Sequence, residues 1–251
     1  MQLDLNNKVA LVTGGSRGLG RAICCGLAEE GARVAANFVR TDPEAWLAPL
    51  RRQFGVPAIA VRGDVSKADE VRDVFDRTER ELGPVDLLIN NAGTWPTAFV
   101  KDMTDEEWNR TLAVNLTAHF LTCREAARRW LAAKRTGRIV NITSQAAYFG
   151  TTTGHAHYAA AKAGLANFTI SLARELAPHG IHVNAVAPGF METDMAAEAL
   201  RKNRARYLAR IPLGRIADAA EVASVVLFLA SERASYVTGA TFDVNGGMLM
   251  R

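Results

Sequence analysis

Cysteine is scarce in this chain, which has only Cys24, Cys25 and Cys123 among its 251 residues. The odd count and the lack of any metal-ligand spacing argue against a disulfide-stabilised scaffold and against a structural zinc site. We therefore predict no bound metal. Free thiols in apolar segments are typical of proteins in a reducing compartment, so we expect a cytoplasmic location.

Long hydrophobic runs are also missing, because no uninterrupted apolar stretch reaches the roughly 18 residues of a membrane-spanning helix. The first eight residues are polar and lack the apolar centre of a signal peptide. Neither sign of charge dominates, since the formal net charge is only +4 and the densest basic points are the dipeptides at 128–129 and 134–135. We therefore expect no membrane and no nucleic acid as a partner.

Short apolar runs alternate along the chain with longer segments of helical periodicity. The runs predict buried strands at residues 9–13, 33–38, 58–61, 86–89, 137–143, 181–187 and 241–244. The other segments predict helices at residues 21–30, 43–54, 67–82, 104–134 (with or without a break), 158–176, 191–211 and 219–229. This alternation predicts an α/β fold, a single Rossmann-type doubly wound parallel sheet of about seven strands with helices on both faces, in one domain over residues 1–251.

A glycine-rich turn joins the first predicted strand to the first predicted helix. Gly14, Gly18 and Gly20 follow the spacing G-x-x-x-G-x-G, not the commoner G-x-G-x-x-G. Such a turn aims backbone N–H groups and the positive end of the helix at a phosphate. We expect Gly14 to form the tight turn, Gly18 to admit a diphosphate and Gly20 to allow close packing. A purely structural turn is the alternative.

The end of the second strand bears on the choice of dinucleotide. NAD-binding units place an acidic residue there for the ribose 2′-hydroxyl, whereas this chain has Asn37, followed by Arg40. Arg17 lies in the glycine turn. Two guanidiniums and no carboxylate favour a 2′-phosphate, so we predict NADP (NADPH) as the cofactor in preference to NAD. The alternative is that both arginines are exposed surface charges.

Two further strand ends bring polar or small residues to the same edge of the sheet. Asp64 is placed to accept a hydrogen bond from an adenine amino group, or else to cap the following helix. Asn91, Ala92 and Gly93 follow the fourth strand and can pass close beside a nucleotide.

Tyr158 and Lys162 lie four positions apart in an alanine-rich segment, so both side chains project from one helix face. A free phenol has a pKa near 10, and a nearby ammonium favours the phenolate. Ser144 lies at the carboxyl end of the fifth strand, the edge where open α/β sheets bind ligands. Asn115 is polar in an apolar stretch and needs partners, which are either water or groups of the core.

These motifs occur together and in the order typical of the classical short-chain dehydrogenases/reductases, which the chain resembles over essentially its full length. The resemblance implies that Tyr158 donates a proton to a carbonyl oxygen and that Lys162 lowers its pKa and binds the nicotinamide ribose. It implies that Ser144 polarises the carbonyl and that Asn115 holds a water linked to Lys162. The implied cofactor-binding residues are Gly14, Ser16, Arg17, Gly18, Leu19, Gly20, Asn37, Arg40, Asp64, Val65, Asn91, Ala92, Gly93, Tyr158, Lys162, Pro188, Gly189 and Thr193.

The substrate is less certain from the sequence than the reaction. The segments at 158–164, 172–175 and 184–189 most resemble 3-oxoacyl-[acyl-carrier-protein] reductases, although sugar, polyol and secondary-alcohol dehydrogenases share them. The resemblance to 3-oxoacyl-[acyl-carrier-protein] reductases implies an acyl-thioester substrate and an acyl-carrier protein that docks on Arg128, Arg129 and Arg135. His179 stands at a position where a second docking arginine is expected. A non-catalytic NADP-binding regulator is a remoter alternative.

Two departures from the family pattern flank the predicted site. Trp95 and Pro96 lie in the loop after the fourth strand, and one additional residue separates Ser144 from Tyr158. We expect the loop at 151–157 to be remodelled. Contact of its histidines with substrate is an alternative to a purely structural role, and we expect His119 to be a packed core residue. The resemblance also implies a homotetramer.

Overall fold

Seven parallel strands form one sheet in the computed structural model, which describes residues 3–151 and 153–251. The strand order is β3-β2-β1-β4-β5-β6-β7, and every neighbouring pair is parallel. The strands are β1 (Val9–Val12), β2 (Arg33–Phe38), β3 (Ala58–Arg62), β4 (Leu87–Asn90), β5 (Gly137–Ile142), β6 (Ile181–Pro188) and β7 (Thr241–Val244). The predicted fold class is thus confirmed. The predictions for Met1, Gln2 and Thr152 lie outside the described residues.

Helices connect successive strands, as parallel pairing requires. Within the described ranges they are α1 (Gly18–Glu29), α2 (Glu44–Phe54), α3 (Ala68–Leu82), α4 (Asp105–Leu112), α5 (Ala118–Ala132), α6 (Ala146–Phe149), α7 (Ala156–Leu176), α8 (Ala197–Leu208) and α9 (Ala219–Ala230). One-domain organisation over residues 1–251 stays a prediction, and the single sheet supports it.

Two hydrophobic clusters hold the helices against opposite faces of the sheet. On one face, α1 and α9 bury Ile23, Leu27 and Val226. On the other face, α3 and α5 bury Phe75 and Trp130. Each fully buried side chain of this size contributes on the order of 1.5–3 kcal/mol, so the paired clusters fix the sheet between two helical layers.

The long helix predicted at 104–134 does contain a break. A π-helical segment, Ala113–Thr117, separates α4 from α5, and such bulges are frequent at functional sites. The helix predicted at 191–211 is shorter than expected, because Met191 pairs with Ala217 in an isolated bridge and turns precede α8. The single-turn helix α6 was not expected from the sequence.

The strand order places a crevice at the carboxyl end of β1. The chain leaves β1 towards β2 and later returns to its other side at β4, and ligands of open sheets bind where the order reverses in this way. The glycine turn after β1 and the segment after β4 therefore lie side by side. No helix among the described residues has the length and apolar character needed to cross a membrane.

Candidate active site

One cavity of about 1150 Å³ opens along the carboxyl ends of the strands. Its volume exceeds the roughly 300–1,000 Å³ typical of a site for one small ligand, which suits a dinucleotide together with a second molecule. All predicted site residues but one line it: Gly14, Ser16, Arg17, Gly18, Leu19, Gly20, Arg40, Asp64, Val65, Asn91, Ala92, Gly93, Asn115, Ser144, Tyr158, Lys162, Pro188, Gly189 and Thr193.

The glycine turn has the backbone that its sequence predicts. Gly14 and Gly18 adopt φ values of 62° and 52°, in the left-handed region that side chains disfavour. A Cβ on Gly20 would lie 2.2 Å from the carbonyl oxygen of Gly14, so only glycine permits α1 to approach the turn so closely. The first turn of α1 consequently points its N–H groups into the cavity mouth.

Hydrogen bonds join this turn to the segment after β4. The side-chain Nδ2 of Asn91 donates to the carbonyl oxygens of Thr13 and Gly14, each at 3.0 Å. In return, the Thr13 hydroxyl accepts from the backbone N–H groups of Asn91 and Ala92, also at 3.0 Å. These four bonds fix the two loops as one wall, which is a positioning role that the sequence analysis did not assign to Thr13.

Asn37 is the one predicted cofactor residue that does not line the cavity, so its assignment is corrected. Its buried side chain donates to the carbonyl oxygens of Val61 (3.2 Å) and Gly63 (2.9 Å). Its Oδ1 accepts from Gly14 N–H at 3.4 Å. Because these bonds draw the amide beneath the turn, the exposed wall at the end of β2 is formed instead by residues 39–41.

Arg17 and Arg40 both reach the wall near the end of β2. Arg17 is widely exposed and lies 3.9 Å from the Asp194 carboxylate, a weak ion pair. Trp46 on α2 was not predicted as a site residue. Its Nε1 donates to the carbonyl oxygen of Ser16 at 2.9 Å and so fixes the turn from outside. A lone tryptophan on a helix gives no sequence signal for such a contact.

Asp64 lies just before α3 but does not cap it, because the N-cap position belongs to Lys67; its contact with adenine stays a prediction. Its Oδ1 accepts from the backbone N–H and the hydroxyl of Ser66, at 3.0 and 2.7 Å, so it forms a local turn before α3. It also lines the cavity beside Val65.

Ser144, Tyr158 and Lys162 meet at the other end of the cavity. Ser144 follows β5, and its side chain is hydrogen-bonded to that of Tyr158. The Nζ atom of Lys162 lies 5.8 Å from the centre of the Tyr158 ring and donates to the carbonyl oxygen of Ile142 at 2.8 Å. The spacing on α7 therefore brings phenol and amine to one face, opposite the strand end that carries Ser144.

Burial sets the proton affinities of this group. It lowers the pKa of Lys162 to about 7. It raises the pKa of Tyr158, and the hydrogen bond with Ser144 opposes part of that rise. Burial penalises the charged form of both side chains. The phenol is therefore protonated at neutral pH. Lys162 is not among the causes of the shift at Tyr158, so the expectation that Lys162 lowers this pKa stays a prediction.

Asn115 lies inside the π-helical segment and is fully buried. Its Oδ1 accepts from Thr94 N–H at 3.1 Å, and its Nδ2 donates to the carbonyl oxygen of Thr111 at 3.0 Å. A Cβ on Gly93 would lie 3.1 Å from that Oδ1 and 3.8 Å from Lys162 Nζ. The Asn115 amide on the π-helical segment and the Lys162 amine on α7 thus both approach Gly93.

His119, His155 and His157 have different surroundings. His119 is buried, and burial together with the Lys162 charge lowers its pKa well below the ordinary value. His155 lines the cavity, stacks on Trp95 with ring centres 4.4 Å apart, and meets the carbonyl oxygen of Pro96 at 2.8 Å. His157 is buried outside the wall.

The expected carrier-protein patch is largely neutralised within the chain. Arg129 is paired with Asp76, Glu79 and Glu125, which raise its pKa. Arg135 is paired with Asp86 at 2.7 Å. These arginines bridge neighbouring elements, and docking of a carrier protein on the patch stays a prediction.

Among the described residues, no three side chains of His, Cys, Asp or Glu lie close enough together to hold a metal ion.

Known proteins match the chain along nearly its full length. Residues 14–249 match the family described as Enoyl-(Acyl carrier protein) reductase. The 3-oxoacyl-[acyl-carrier-protein] reductase FabG of Escherichia coli K12 is 43% identical over 248 residues, covering 99% of this chain and 100% of that protein. FabG of Aquifex aeolicus is 41% identical over 249 residues, with the same coverage.

Solved structures agree with these sequence matches. A short-chain type dehydrogenase/reductase from Mycobacterium marinum superposes with a TM-score of 0.95 at 35% identity, covering 100% of this chain and 98% of that one. A structure with bound NADP from Agrobacterium tumefaciens, described as a candidate 2-deoxy-d-gluconate 3-dehydrogenase, has a TM-score of 0.91 at 38% identity, covering 100% and 99%. The chain therefore belongs to the short-chain dehydrogenase/reductase family, whose members are oxidoreductases that act on carbonyl and CH–OH groups.

Proposed function

We propose that the protein is an NADP(H)-dependent oxidoreductase that interconverts a carbonyl and a secondary alcohol, in the manner of a 3-oxoacyl-[acyl-carrier-protein] reductase. The observation that carries this proposal is the meeting of Ser144, Tyr158 and Lys162 in the same cavity as the glycine turn. Curated FabG proteins at 41–43% identity over nearly the whole chain support the substrate class.

The cavity fits the cofactor. The backbone of the glycine turn and the start of α1 would hold the diphosphate, and Arg17 and Arg40 would hold the 2′-phosphate. Asp64 would accept from the adenine amino group. Pro188, Gly189 and Thr193 would fix the nicotinamide end, and a Cβ on Gly189 would lie 2.8 Å from the Asn245 Cα, so glycine keeps that turn tight. When bound, NADPH supplies the hydride.

Within this chain, each catalytic group has a separate task. Ser144 donates a hydrogen bond to the substrate carbonyl and so polarises it. Tyr158, kept protonated by burial, gives its proton to the same oxygen. Lys162, with a pKa of about 7, exchanges protons at neutral pH. Asn115 supports a water next to Lys162. General acid catalysis of this kind contributes roughly 10²–10⁴-fold to rate.

The proposal also covers the carrier of the acyl group and the oligomeric state of the protein. A thioester on an acyl-carrier protein is the favoured substrate, with Arg128, Arg129 and Arg135 as its docking contacts, and a homotetramer is the favoured assembly. A cytoplasmic location is supported by three free cysteines. The second candidate function is a sugar or polyol dehydrogenase, favoured by the likeness to the candidate 2-deoxy-d-gluconate 3-dehydrogenase.

A panel assay tests the proposal. Purified protein is given NADPH with 3-oxoacyl thioesters, ketoses, keto acids and small ketones, and oxidation of NADPH is followed by absorbance. We expect reduction of the thioesters and little reaction with simple ketones. Turnover confined to ketoses would favour the second function. If no carbonyl compound reacts while NADPH binds tightly, a non-catalytic regulator becomes the better account.

A further inference from the structure

Among the described residues, four arginines of the active-site cavity wall have no acidic partner: Arg40, Arg110, Arg206 and Arg210. Arg40 is assigned above to the cofactor and Arg110 lies on α4, whereas Arg206 and Arg210 lie four residues apart at the end of α8. Arg206 is in the last turn of α8, and Arg210 follows two residues after the helix ends. Within the described residues neither guanidinium has a carboxylate within ion-pair distance, whereas Arg204 and Lys202 on the same helix pair with Glu192 and Glu198. The two unneutralised charges are therefore a feature of the side of α8 that faces the cavity.

Both side chains are exposed at this edge of the cavity and give it a local excess of positive charge. Like charges four residues apart on a helical turn repel one another, and the turn continues to Arg210, whose N–H bonds to the Tyr207 carbonyl oxygen at 3.0 Å. Two guanidiniums in one cavity wall are suited to bind the oxygens of a carboxylate or phosphate. The acidic residues of the wall, Asp64 and Asp194, are engaged with Ser66 and Arg17.

Both arginines are held next to the reacting end of the cavity. Arg210 lies over the ring of Phe149, 5.5 Å from its centre, and Phe149 belongs to the short helix that follows Ser144. Tyr207, beside Arg206, packs on Phe190 with ring centres 4.0 Å apart, and Phe190 follows the Pro188–Gly189 turn. The first contact places the Arg210 guanidinium beside the segment after Ser144, and the second fixes the backbone next to Arg206 against the segment after Gly189.

An aromatic surface extends from these arginines towards the catalytic group. Phe190 meets Trp95 edge to face at 6.1 Å, and Trp95 stacks on His155. We propose, on the basis of the function proposed above, that the substrate carries an oxyanion beyond its reacting carbonyl and that Arg206 and Arg210 bind this anion. The body of the substrate then packs against Trp95 and Phe190. The 2′-phosphate of the cofactor has its own arginines, Arg17 and Arg40.

The anion is a phosphate or a carboxylate, and matched substrates separate the two sources. One pair is acetoacetyl-4′-phosphopantetheine against acetoacetyl-pantetheine, which differ only in the phosphate. The other pair is a keto acid against its methyl ester. We measure kcat/KM with NADPH for each pair in the natural protein, in Arg206→Gln/Arg210→Gln, in Arg206→Lys/Arg210→Lys and in Arg201→Gln. Arg201 is a control on α8 that lies outside the cavity wall.

The proposal predicts that the glutamine double variant loses at least about tenfold in kcat/KM for the charged member of one pair. The neutral member and the dissociation constant of NADPH should change little. The lysine variant should restore part of the loss, and added salt should raise KM for the charged member only. If the glutamine variant loses kcat/KM for the phosphorylated thioester, the substrate is a phosphopantetheine thioester. If it loses kcat/KM for the free keto acid, the substrate is a keto acid.

The inference would be overturned if the glutamine variant lost kcat/KM equally for the charged and neutral members of both pairs, or lost none for either. Both results would leave the proposed function intact. If no substrate is reduced, the proposed function fails, and calorimetric titration of the same pairs into the NADP⁺ complex decides the inference. In that titration, charged members must bind more tightly to the natural protein than to the glutamine variant. Equal binding would reject the arginine site.

Discussion

The side-chain nitrogen of Lys162 donates a 2.8 Å hydrogen bond to the carbonyl oxygen of Ile142, the last residue of β5. This bond satisfies one of three ammonium protons, and the side chain is almost completely buried. Burial with a single neutral partner is what lowers the pKa of Lys162 to about 7. The catalytic amine is therefore held in place at a cost to stability.

The first prediction follows from the sign of this shift. Between about pH 7 and the pKa of about 10.4 for an unfolded lysine, the unfolded chain binds more protons, so this group makes the free energy of unfolding rise with pH. The penalty is fully present below about pH 7 and is at most on the order of 5 kcal/mol. We expect Lys162→Met to stabilise the protein more at pH 6 than at pH 10.

Chemical denaturation at both pH values measures this effect. Lys101→Met is the control, because Lys101 is exposed in a loop. For each variant, the free energy of unfolding is compared with that of the natural protein at the same pH. This comparison separates the contribution of the substituted lysine from the contributions of the cysteines and histidines, which are the same in both proteins. Parallel pH dependences for the natural protein and Lys162→Met would show that the ammonium is not destabilised by burial.

The second prediction concerns the phenol. Tyr158→Phe removes the hydroxyl that bonds to Ser144 and should lower kcat by roughly 10²–10⁴-fold, with little change in the affinity for NADPH. Tyr148→Phe is a matched control, because Tyr148 packs under Arg251 at 3.5 Å and lies outside the cavity wall. Steady-state rates and NADPH fluorescence titrations give both quantities. Full turnover in Tyr158→Phe would remove this residue from the mechanism.

The third prediction concerns Gly20. Alanine favours a helix interior by roughly 0.5–1 kcal/mol over glycine, but its Cβ here would lie 2.2 Å from the Gly14 carbonyl oxygen. We expect the steric clash to outweigh the helix preference of alanine, because overpacking costs about 1–3 kcal/mol or more. Gly20→Ala should lower the melting temperature and weaken NADPH binding.

Gly164→Ala on α7 is the control for that experiment. Its Cβ would meet only the flexible side chain of Leu116, at 3.1 Å, so the helix preference for alanine should be retained. If Gly20→Ala proves as stable as Gly164→Ala and binds NADPH normally, close approach of α1 to the turn is not required.

The fourth prediction tests the choice of cofactor. Arg40→Ser should raise KM for NADPH by about tenfold or more, because a charge-assisted hydrogen bond is worth on the order of 1.5–3 kcal/mol. KM for NADH should stay nearly unchanged, since NADH lacks the 2′-phosphate. Arg52→Ser, on α2 and outside the cavity wall, is the control. An equal change for both cofactors would contradict the assignment of Arg40 to the phosphate.

The sequence by itself determined the sheet, the glycine turn and the shared face of Tyr158 and Lys162. These features depend on local periodicity and on the conformational freedom of glycine, and a short stretch of sequence is enough to show both. Strand ends were predicted to within about one residue for the same reason. Family membership likewise followed from motifs whose order and spacing can be read along the chain.

Only the tertiary structure decided how polar groups far apart in sequence are used. It draws Asn37 under the turn to the carbonyl oxygens of β3, and it neutralises Arg129 with acids from α3 and α5. It also leaves Arg206 without an acidic partner in the described chain and raises the pKa of Tyr158. Partners and desolvation fix the charge and availability of a side chain, and both depend on which surfaces the fold brings together.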